Sequence, residues 1–523
     1  MGRSDFNKTT GFIQILDRCI AECPEREAIV FNDWRISYGQ FGDYINMSAH
    51  MLSSLGVKKS DCVGIISRNR PEFLILEFSL YKIGAIPVKI NWRLSPEEMI
   101  SQLDCSNVRL AFIQVENPDW GRRLFEHYGD KLRFFSLTGS GEADSSFISL
   151  VSSFTIEDDF NVYISDDDPA CHMHTSGTTG HAKTVVYTHG GMLDKMSAVK
   201  DLYGYAPGDR LQFIAQLFHS GAIGAWLCLC TCGTLVLMSS FSPEQYMLSL
   251  ERERINTISV VPTILKWILD ELDKNQYDLS SLHTIRYSTC PVSPEVLKRA
   301  MKKLDCKFYQ SYGMTEMGSM VSILFPSEHL SDNFAHLPTV GKAIPGTEIC
   351  IRNELGNDCP PNVVGEICIR GQGMMQGYLS QPELTCEHIK DGWYLSGDMG
   401  SLDEDGYLTL SGRKDDLIIS GGENIYPCEI SSVLMQISDI SECCVFGVPD
   451  ETWGEHVKAC VVLNFGSKIT KKSLFDYCRQ HIPHFKAPKE IEIVPKLPKN
   501  TTGKVDIPAL KRQLNSNSLI HQI

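Results

Sequence analysis

Strand-like and helical runs alternate through the first half of this 523-residue chain, and this alternation limits the possible folds more than any other feature. Residues 63–66 are a short apolar run typical of a buried strand, residues 71–80 have helical spacing, and residues 86–90 are again strand-like. The alternation resumes further on, where we predict a helix over 246–253 and a strand over 257–261. Buried strands joined by helices form parallel sheets with crossover connections, so we expect an α/β fold.

The length implies more than one domain, because a single hydrophobic core stops growing at about 250–300 residues. From residue 338 the chain becomes β-rich with frequent glycines, and residues 413–416 then place four charges before the next apolar run. We predict a large N-terminal domain over 1–412, with two α/β subdomains (about 1–170 and 171–337) and a small β-barrel-like subdomain (338–412). A hinge at 413–416 would join it to a small α/β C-terminal lid, 417–523.

The composition favours a cytoplasmic protein and is compatible with a small anionic ligand. The formal net charge of -15 argues against general binding to nucleic acid or to an anionic membrane, but it allows a local basic pocket. The 19 cysteines are scattered through apolar stretches and the N-terminus lacks a secretory signal, so we expect reduced thiols. Residues 222–238 carry no charge, but Gly233 and Thr234 interrupt the run, which favours a buried helix and strand over a membrane span.

One loop has the composition of a phosphate-binding site. Residues 176–180 read Ser-Gly-Thr-Thr-Gly, follow a strand-like run and precede Lys183, so hydroxyls, close backbone and a cation occur together. A flexible surface turn is the alternative interpretation. The Walker A motif is excluded because Gly180 is followed by His181 and Ala182, and the glycines near residue 371 lack the dinucleotide-binding spacing.

Four further clusters contain residue types that nucleotide chemistry uses. They are residues 312–316 (Tyr-Gly-Met-Thr-Glu), residues 394–398 (Tyr-Leu-Ser-Gly-Asp), Arg413 and residues 497–504 (Leu-Pro-Lys-Asn-Thr-Thr-Gly-Lys). Taken singly, each also fits a core, turn or surface role. The ordered set of five clusters points to one site.

This ordered set resembles the adenylate-forming superfamily, which comprises acyl- and aryl-CoA synthetases, carrier-protein adenylation domains and firefly luciferase. The resemblance covers essentially the whole chain. Residues 218–221 (Phe-His-Ser-Gly) and 417–427 are most similar to CoA ligases such as 4-chlorobenzoate-CoA ligase and the fatty-acid and carnitine-CoA ligases. The resemblance implies an acid–thiol ligase, in which a carboxylate attacks the α-phosphate of ATP to form acyl-AMP and the thiol of CoA then displaces AMP.

The same resemblance implies an ATP site with Mg²⁺. The ATP-binding residues it implies are Thr175, Ser176, Gly177, Thr178, Thr179, Gly180, Lys183, Tyr312, Gly313, Thr315, Asp398, Arg413 and Lys504. Among them, Tyr312 is expected against the adenine, Asp398 on the ribose and Lys183 on the outer phosphates. Thr315, Glu316 and Lys504 are the implied catalytic residues, with Glu316 binding the metal and Lys504 bridging the carboxylate and the α-phosphate.

The resemblance also implies where the acid and the thiol bind. The implied acyl pocket comprises His219, Gly224, Ser288, Thr289, Cys290, Met314 and Gly318. This mostly neutral set predicts an apolar monocarboxylate, either aromatic or of medium chain length. The implied hinge residue is Asp415, and Gly421, Gly422, Trp453 and Phe485 are expected at the thiol, where the lid brings the glycine loop after adenylation.

The chain departs from the family pattern at two places. His181 and Ala182 precede Lys183 where Pro-Lys-Gly is usual, and Ala487 stands where aryl-CoA ligases can carry an arginine for the CoA phosphate. A carrier-protein phosphopantetheine therefore remains an alternative acceptor, and a non-catalytic nucleotide or acyl sensor is a third interpretation. His219 stands where amino-acid-activating relatives carry an aspartate, which argues against an α-amino acid. The pathway and the oligomeric state, a homodimer included, are left open.

Overall fold

A computed structural model describes residues 13–114, 118–138, 147–158, 160–175, 183–289, 292, 294–330, 334–500 and 505–520. The strands of these residues are, in chain order, β1 (Glu27–Phe31), β2 (Trp34–Ser37), β3 (Cys62–Ile66), β4 (Ile86–Ile90), β5 (Leu110–Ile113), β6 (Arg133–Ser136), β7 (Pro169–Thr175), β8 (Lys183–Thr188), β9 (Arg210–Phe213), β10 (Thr234–Leu237), β11 (Thr257–Val260), β12 (Thr284–Ser288), β13 (Lys307–Met314), β14 (Ser319–Leu324), β15 (Lys342–Ala343), β16 (Thr347–Arg352), β17 (Gly365–Gly371), β18 (Gly377–Tyr378), β19 (Ile389–Lys390), β20 (Trp393–Leu402), β21 (Leu408–Arg413), β22 (Ile418–Ser420), β23 (Glu423–Ile425), β24 (Ile440–Asp450), β25 (Gly454–Leu463) and β26 (Glu490–Ile493).

The helices lie mainly in the connections between these strands. They are α1 (Ile13–Glu22), α2 (Tyr38–Ser54), α3 (Pro71–Lys82), α4 (Pro96–Cys105), α5 (Pro118–Tyr128), α6 (Phe147–Val151), α7 (His189–Tyr203), α8 (Ile223–Leu229), α9 (Pro243–Arg252), α10 (Pro262–Leu272), α11 (Pro294–Lys303), α12 (Pro326–His329), α13 (Pro382–His388), α14 (Pro427–Leu434), α15 (Lys471–His481) and α16 (Ile507–Ile520). Among the described helices, none combines the length and the apolar character needed to cross a bilayer.

The described residues fall into two compact units. The first takes its residues from Met1–Pro291, Arg299–Glu348 and Ile369–Tyr394, and the second from Val292–Lys298, Ile349–Cys368 and Leu395–Ile523. This division assigns residues 395–412 to the same unit as the C-terminal residues, whereas the sequence-based boundary lies at 412. The hinge at 413–416 stays a prediction.

The first unit contains two large sheets. One has the strand order β15-β14-β13-β12-β11-β9-β10-β1-β2, and the other has the order β18-β8-β7-β4-β3-β5-β6. The neighbours β3 and β4, β3 and β5, and β11 and β12 are parallel, as the alternation predicts. The helix α3 between β3 and β4 is buried along its whole length, which explains why apolar residues occur on all of its faces, although Glu72, Glu77 and Lys82 are buried with them.

The later part of the chain forms smaller sheets. The β-rich stretch gives a sheet in the order β16-β17-β20-β19 with β21 paired to β20, and the pairs β19–β20 and β20–β21 are antiparallel. In the second unit, β23-β22-β25-β24 form a further sheet in which β26 pairs with β25. Its core packs Ile430 and Leu434 of α14 and Leu474 of α15 against Val457 and Val461 of β25. Every cysteine in the described ranges is a free thiol.

Candidate active site

The predicted phosphate loop lies between two strands of a hairpin. Strands β7 and β8 are antiparallel, and their last pair joins Thr175 to Lys183. The loop residues between them, 176–182, lie outside the described residues, so their contacts are not described. The pairing nevertheless places Lys183 at the mouth of the hairpin, directly across from Thr175.

The side chain of Lys183 contacts residues that are far from it in the sequence. Its Nζ is 3.0 Å from His388 Nε2 and 5.2 Å from the centre of the Tyr378 ring. An ammonium group has no lone pair, so it donates and His388 Nε2 accepts. The aromatic face of Tyr378 stabilises the cation further.

Glu316 is linked to the same tyrosine. The Tyr378 hydroxyl donates to Glu316 Oε1 over 3.1 Å and lies 3.4 Å from the Tyr394 hydroxyl. The Met375 backbone N–H donates to the Glu316 carbonyl over 2.8 Å. Tyr378 thus contacts two predicted site residues. Its ring faces Lys183, the predicted phosphate-binding lysine, and its hydroxyl donates to Glu316, the predicted metal-binding carboxylate.

The segment that carries Thr315 and Glu316 is held by backbone contacts. The Tyr187 hydroxyl donates to the Thr315 carbonyl, and burial raises the pKa of Tyr187 well above its usual range, so this group stays a donor. Residues Thr315–Met317 form a 3-10 turn that ends at Gly318, whose φ of 69° is left-handed. Gly313 lies at a register shift opposite β14, and a Cβ atom there would lie 1.6 Å from the Ser319 carbonyl oxygen.

The predicted acyl-pocket residues lie at the ends of neighbouring elements of the first unit. Ser288 ends β12 and pairs with Ser311 of the parallel strand β13, the strand that leads to Met314. Thr289 has a φ of 81°, a strained conformation for a β-branched residue and one that often marks a functional position. Cys290 lies outside the described residues.

His219 begins the turn before helix α8. Its Nδ1 accepts from the Gly221 backbone N–H over 3.4 Å at the start of a 3-10 turn, Ser220–Ala222. Gly224 follows in α8, where an added Cβ would meet the Tyr205 hydroxyl at 3.5 Å, an ordinary contact. Ser220, Ile223 and Gly318 line one small cavity. The structure therefore brings the turn after His219 to the predicted pocket residue Gly318.

In the second unit, the two predicted ribose and phosphate residues are cross-strand partners. Asp398 of β20 pairs with Arg413 of β21, and Arg413 Nη1 lies 2.7 Å from Asp398 Oδ1. Arg413 also donates to the Ser396 carbonyl over 3.3 Å, and the Ser396 hydroxyl accepts from the Asp398 backbone N–H over 3.0 Å. The predicted hinge residue Asp415 is exposed in the 3-10 turn Lys414–Asp416.

The predicted thiol-site residues also lie in the second unit. Gly421 and Gly422, with φ of 61° and 86°, form the two-residue turn between β22 and β23, a conformation that favours glycine at both positions. The Gly421 N–H donates to the Trp453 carbonyl over 2.8 Å. Trp453 and Phe485 are about half exposed, and Lys489 Nζ lies 4.9 Å from the Trp453 ring centre. Lys504 lies outside the described residues.

Sequence reasoning missed two residues that organise the lysine end of this site. Tyr378 and His388 come from β18 and the end of α13, and His388 is 205 positions from Lys183 in the chain. No local pattern in the sequence marks either residue. Only the tertiary contact identifies them.

The α/β fold is that of the adenylate-forming enzymes. The predicted phosphate loop, Lys183, Glu316, Asp398 and Arg413 also follow one another along the chain in the order expected for that class. Residues 16–379 match the family model described as AMP-binding enzyme, and residues 429–504 match that of the AMP-binding enzyme C-terminal domain. The chain belongs to the AMP-binding enzyme family.

Characterised relatives support the same assignment. The chain is 32% identical to 2-succinylbenzoate–CoA ligase of Bacillus pumilus, over 93% of this chain and 95% of the relative. It is 30% identical to a fatty acid–[acyl-carrier-protein] ligase of Streptomyces coeruleorubidus, over 94% of this chain and 93% of the relative. It also resembles the solved o-succinylbenzoate CoA synthetase of Bacillus subtilis in complex with its acyl-adenylate, with a TM-score of 0.84, 28% identity and coverage of 95% and 97% of the two chains. The predicted superfamily, fold and enzyme class, an AMP-forming acid–thiol ligase, are confirmed.

Proposed function

We propose that this protein uses ATP to convert a carboxylic acid into an acyl-adenylate and then transfers the acyl group to the thiol of CoA, with release of AMP. The observation that carries the proposal is the contact of Tyr378 with both Lys183 and Glu316. A cation and a carboxylate held by one side chain beside the hairpin mouth suit a ligand that brings both phosphate and metal.

Lys183 is well placed to bind the outer phosphates of ATP. Its ammonium already points to a lone pair of His388 and to a π face, two acceptors that are weaker than a phosphate oxygen. Among the described residues no carboxylate forms a salt bridge with Lys183, so ATP has to displace only the contact with His388. We expect Lys183 to turn from His388 toward the phosphates when ATP binds.

Glu316 fits the role of a Mg²⁺ ligand. Tyr378 holds Oε1, and the described residues supply no recorded partner for Oε2. They also contain no cluster of three or more His, Cys, Asp or Glu side chains that could hold a metal by themselves. This matches Mg²⁺, which commonly binds one or two carboxylates together with substrate phosphates and neutralises phosphate charge when bound.

The other polar residues have roles that follow from their chemistry. Tyr312 would lie on the adenine and Thr315 on the α-phosphate, while the carboxylate of Asp398 would accept from ribose hydroxyls with Arg413 holding its position over 2.7 Å. Lys504 would donate to the substrate carboxylate and the α-phosphate as charge develops. Rotation of the lid about Asp415 would then exchange Lys504 for the Gly421-Gly422 turn.

CoA is the acceptor that we propose first, and a carrier-protein phosphopantetheine is the alternative. The half-exposed rings of Trp453 and Phe485, near Lys489 and Lys486, offer aromatic and cationic contacts for a phosphorylated nucleotide. One relative named above takes a carrier protein instead, which keeps that acceptor open. The free thiols of the described cysteines support a cytoplasmic location. A homodimer is an open expectation.

The decisive experiment is ATP–pyrophosphate exchange with a panel of aromatic and medium-chain monocarboxylic acids, followed by offering CoA or a carrier protein to the adenylate. We expect exchange with at least one acid and AMP release on adding CoA. Lys504→Ala should lower exchange by about 10²-fold or more, since donors to developing charge are worth that much, while leaving thioester formation from supplied acyl-AMP largely intact. No exchange with any acid would favour the sensor, and transfer only to the carrier protein would favour the alternative acceptor.

A further inference from the structure

Helix α7 carries a lysine that the proposed reaction does not use. Lys195 is 1% exposed, and its Nζ donates to the Met320 carbonyl over 2.9 Å. Met320 lies on β14, across from Gly313 of β13. The ammonium is therefore in the interior, beside the strand that leads into Thr315 and Glu316.

A second buried lysine of the same unit shows what Lys195 lacks. Lys89 and Glu77 are both fully buried, and Lys89 Nζ lies 2.8 Å from Glu77 Oε1. For Lys195, by contrast, no carboxylate of the described residues is recorded within 4 Å of Nζ. Burial lowers the pKa of Lys195 to about 8. A buried ammonium group without an anion is costly, so such a group usually has a functional reason to be retained.

The lysine borders a cavity. The cavity has a volume of about 20 Å³, and its polar side chains are Lys195, Ser220, Tyr187 and Trp226. Two of these are engaged elsewhere, since Tyr187 donates to Thr315 and Trp226 donates to Glu77 over 3.2 Å. Lys195 uses one of its three N–H donors on Met320, and the Ser220 hydroxyl makes a long contact of 3.4 Å with His219 Nδ1, so both keep capacity to meet a ligand atom in the cavity. The other lining residues are apolar or glycine.

Two glycines shape this end of the cavity around the lysine stem. A Cβ at Gly373 would lie 2.5 Å from Lys195 Cε, and a Cβ at Gly318 would lie 3.4 Å from the same atom. Both positions also have left-handed φ values of 76° and 69°. The stem of Lys195 is thus packed against backbone, which fixes where its ammonium points.

The cavity adjoins the acyl pocket of the proposed function. Gly318 belongs to both, and Ser220 and Ile223 flank His219 and Gly224 in the chain. Its volume holds about one water-sized group, because one water needs about 10–15 Å³ measured this way. A single hydroxyl or keto oxygen fits this space, whereas a second carboxylate, with two oxygens and a carbon, does not.

We infer that Lys195 determines substrate specificity: its ammonium binds a single hydroxyl or keto oxygen at the far end of an otherwise apolar acid. This inference rests on the proposed function and refines its substrate class. The body of the acid stays in the adjoining acyl pocket, and only its terminal oxygen enters the cavity, where Lys195 donates to it beside Ser220. An acid without that oxygen leaves the ammonium with the Met320 carbonyl as its partner and an apolar group against its other donors.

The test is ATP–pyrophosphate exchange with matched acids on the full-length protein. The pairs are 3-phenylpropanoic and 3-(4-hydroxyphenyl)propanoic acids, and octanoic and 8-hydroxyoctanoic acids, with octanedioic acid as the dicarboxylate. We expect kcat/KM for one hydroxy acid to exceed that of its partner by about tenfold or more, as a hydrogen bond to a charged group predicts. Lys195→Met should reduce that ratio to about threefold or less without changing KM for ATP. Lys200→Met, at a buried lysine of the same helix that does not line the cavity, should keep the ratio.

Each outcome decides the inference. Equal use of the paired acids by the wild type, a ratio unchanged in Lys195→Met, or strongest exchange with the dicarboxylate would overturn it. If circular dichroism shows that Lys195→Met does not fold, the wild-type ratios decide by themselves. Absence of exchange with every acid would instead refute the proposed function, so the two failures are distinguishable.

Discussion

Gly313→Ala should be the most damaging small substitution near the proposed site. The added Cβ would lie 1.6 Å from the Ser319 carbonyl oxygen and 2.8 Å from Met320 Cα, whereas real Cβ contacts essentially never fall under 3.0 Å. Both obstacles are backbone atoms, so no rotamer change relieves the collision. Strands β13 and β14 would have to separate locally by about 1.4 Å, which breaks ladder hydrogen bonds at that pair.

The expected cost follows from this displacement. Overpacking costs about 1–3 kcal/mol and each lost hydrogen bond about 1 kcal/mol, so we expect a loss of about 2–4 kcal/mol in the free energy of unfolding. Thr315 and Glu316 follow directly on the displaced strand, and a misplacement of about 1 Å can cost about 10²-fold in rate. Thermal unfolding and ATP–pyrophosphate exchange measure the two effects.

Gly356→Ala serves as a control, because it tests the effect of backbone strain at a glycine where an added Cβ meets no other atom. Gly356 has a φ of 80° and no atom within 4 Å of an added Cβ. Gly356→Ala should therefore cost about 1 kcal/mol of stability through its backbone conformation and leave the exchange rate unchanged. If Gly313→Ala keeps wild-type stability and exchanges within about twofold of the wild-type rate, the described approach of β13 and β14 is wrong.

Three further predictions concern charge. Lys183→Met should raise KM for ATP by about 10–100-fold through loss of a charge-assisted phosphate contact, measured by exchange at varied ATP, while Lys307→Met, at an exposed lysine that begins β13, should not. Asp398→Asn should raise KM for ATP by about tenfold, because it replaces one carboxylate oxygen by an amide donor and removes the charge that pairs with Arg413, and an unchanged KM would exclude that role. Burial lowers the pKa of His172 and His189 from 6.5 to about 4, so the unfolded state binds more protons between these values. The denaturation midpoint should then be constant between about pH 6.5 and 8 and fall toward pH 4, less steeply in His172→Gln, and a midpoint that rises on acidification below pH 6.5 would contradict the assignment.

Local patterns in the sequence were sufficient to predict several individual strands and helices. The strand predicted over residues 63–66 is contained in Cys62–Ile66, and the strand predicted over 86–90 is Ile86–Ile90. The helix predicted over 71–80 extends two residues further, to Lys82. These features depend on periodicity and on turn residues within about ten positions, which a single sequence displays directly. The ordered motifs likewise identified the family without any structure.

The residues of the candidate site were predicted from motifs and from the family resemblance, but a contact between two of them can be inferred only where they are neighbours in the chain or in a hairpin. The pairing of Thr175 with Lys183 follows from a strand, a glycine loop and a strand. The contacts of Lys183 with Tyr378 and His388 do not, because they join positions about 200 residues apart.

The sequence by itself determined the α/β class, the family and the order of the motifs, because these are encoded in local periodicity and in residue types along the chain. Only the tertiary structure decided that Tyr378 contacts both Lys183 and Glu316, that Gly313 admits no side chain, and that Lys195 is buried without a recorded carboxylate partner in the described residues. The physical reason is that burial and contact between distant residues depend on the order in which strands pair and on the packing of helices against them, and neither is a property of any short segment.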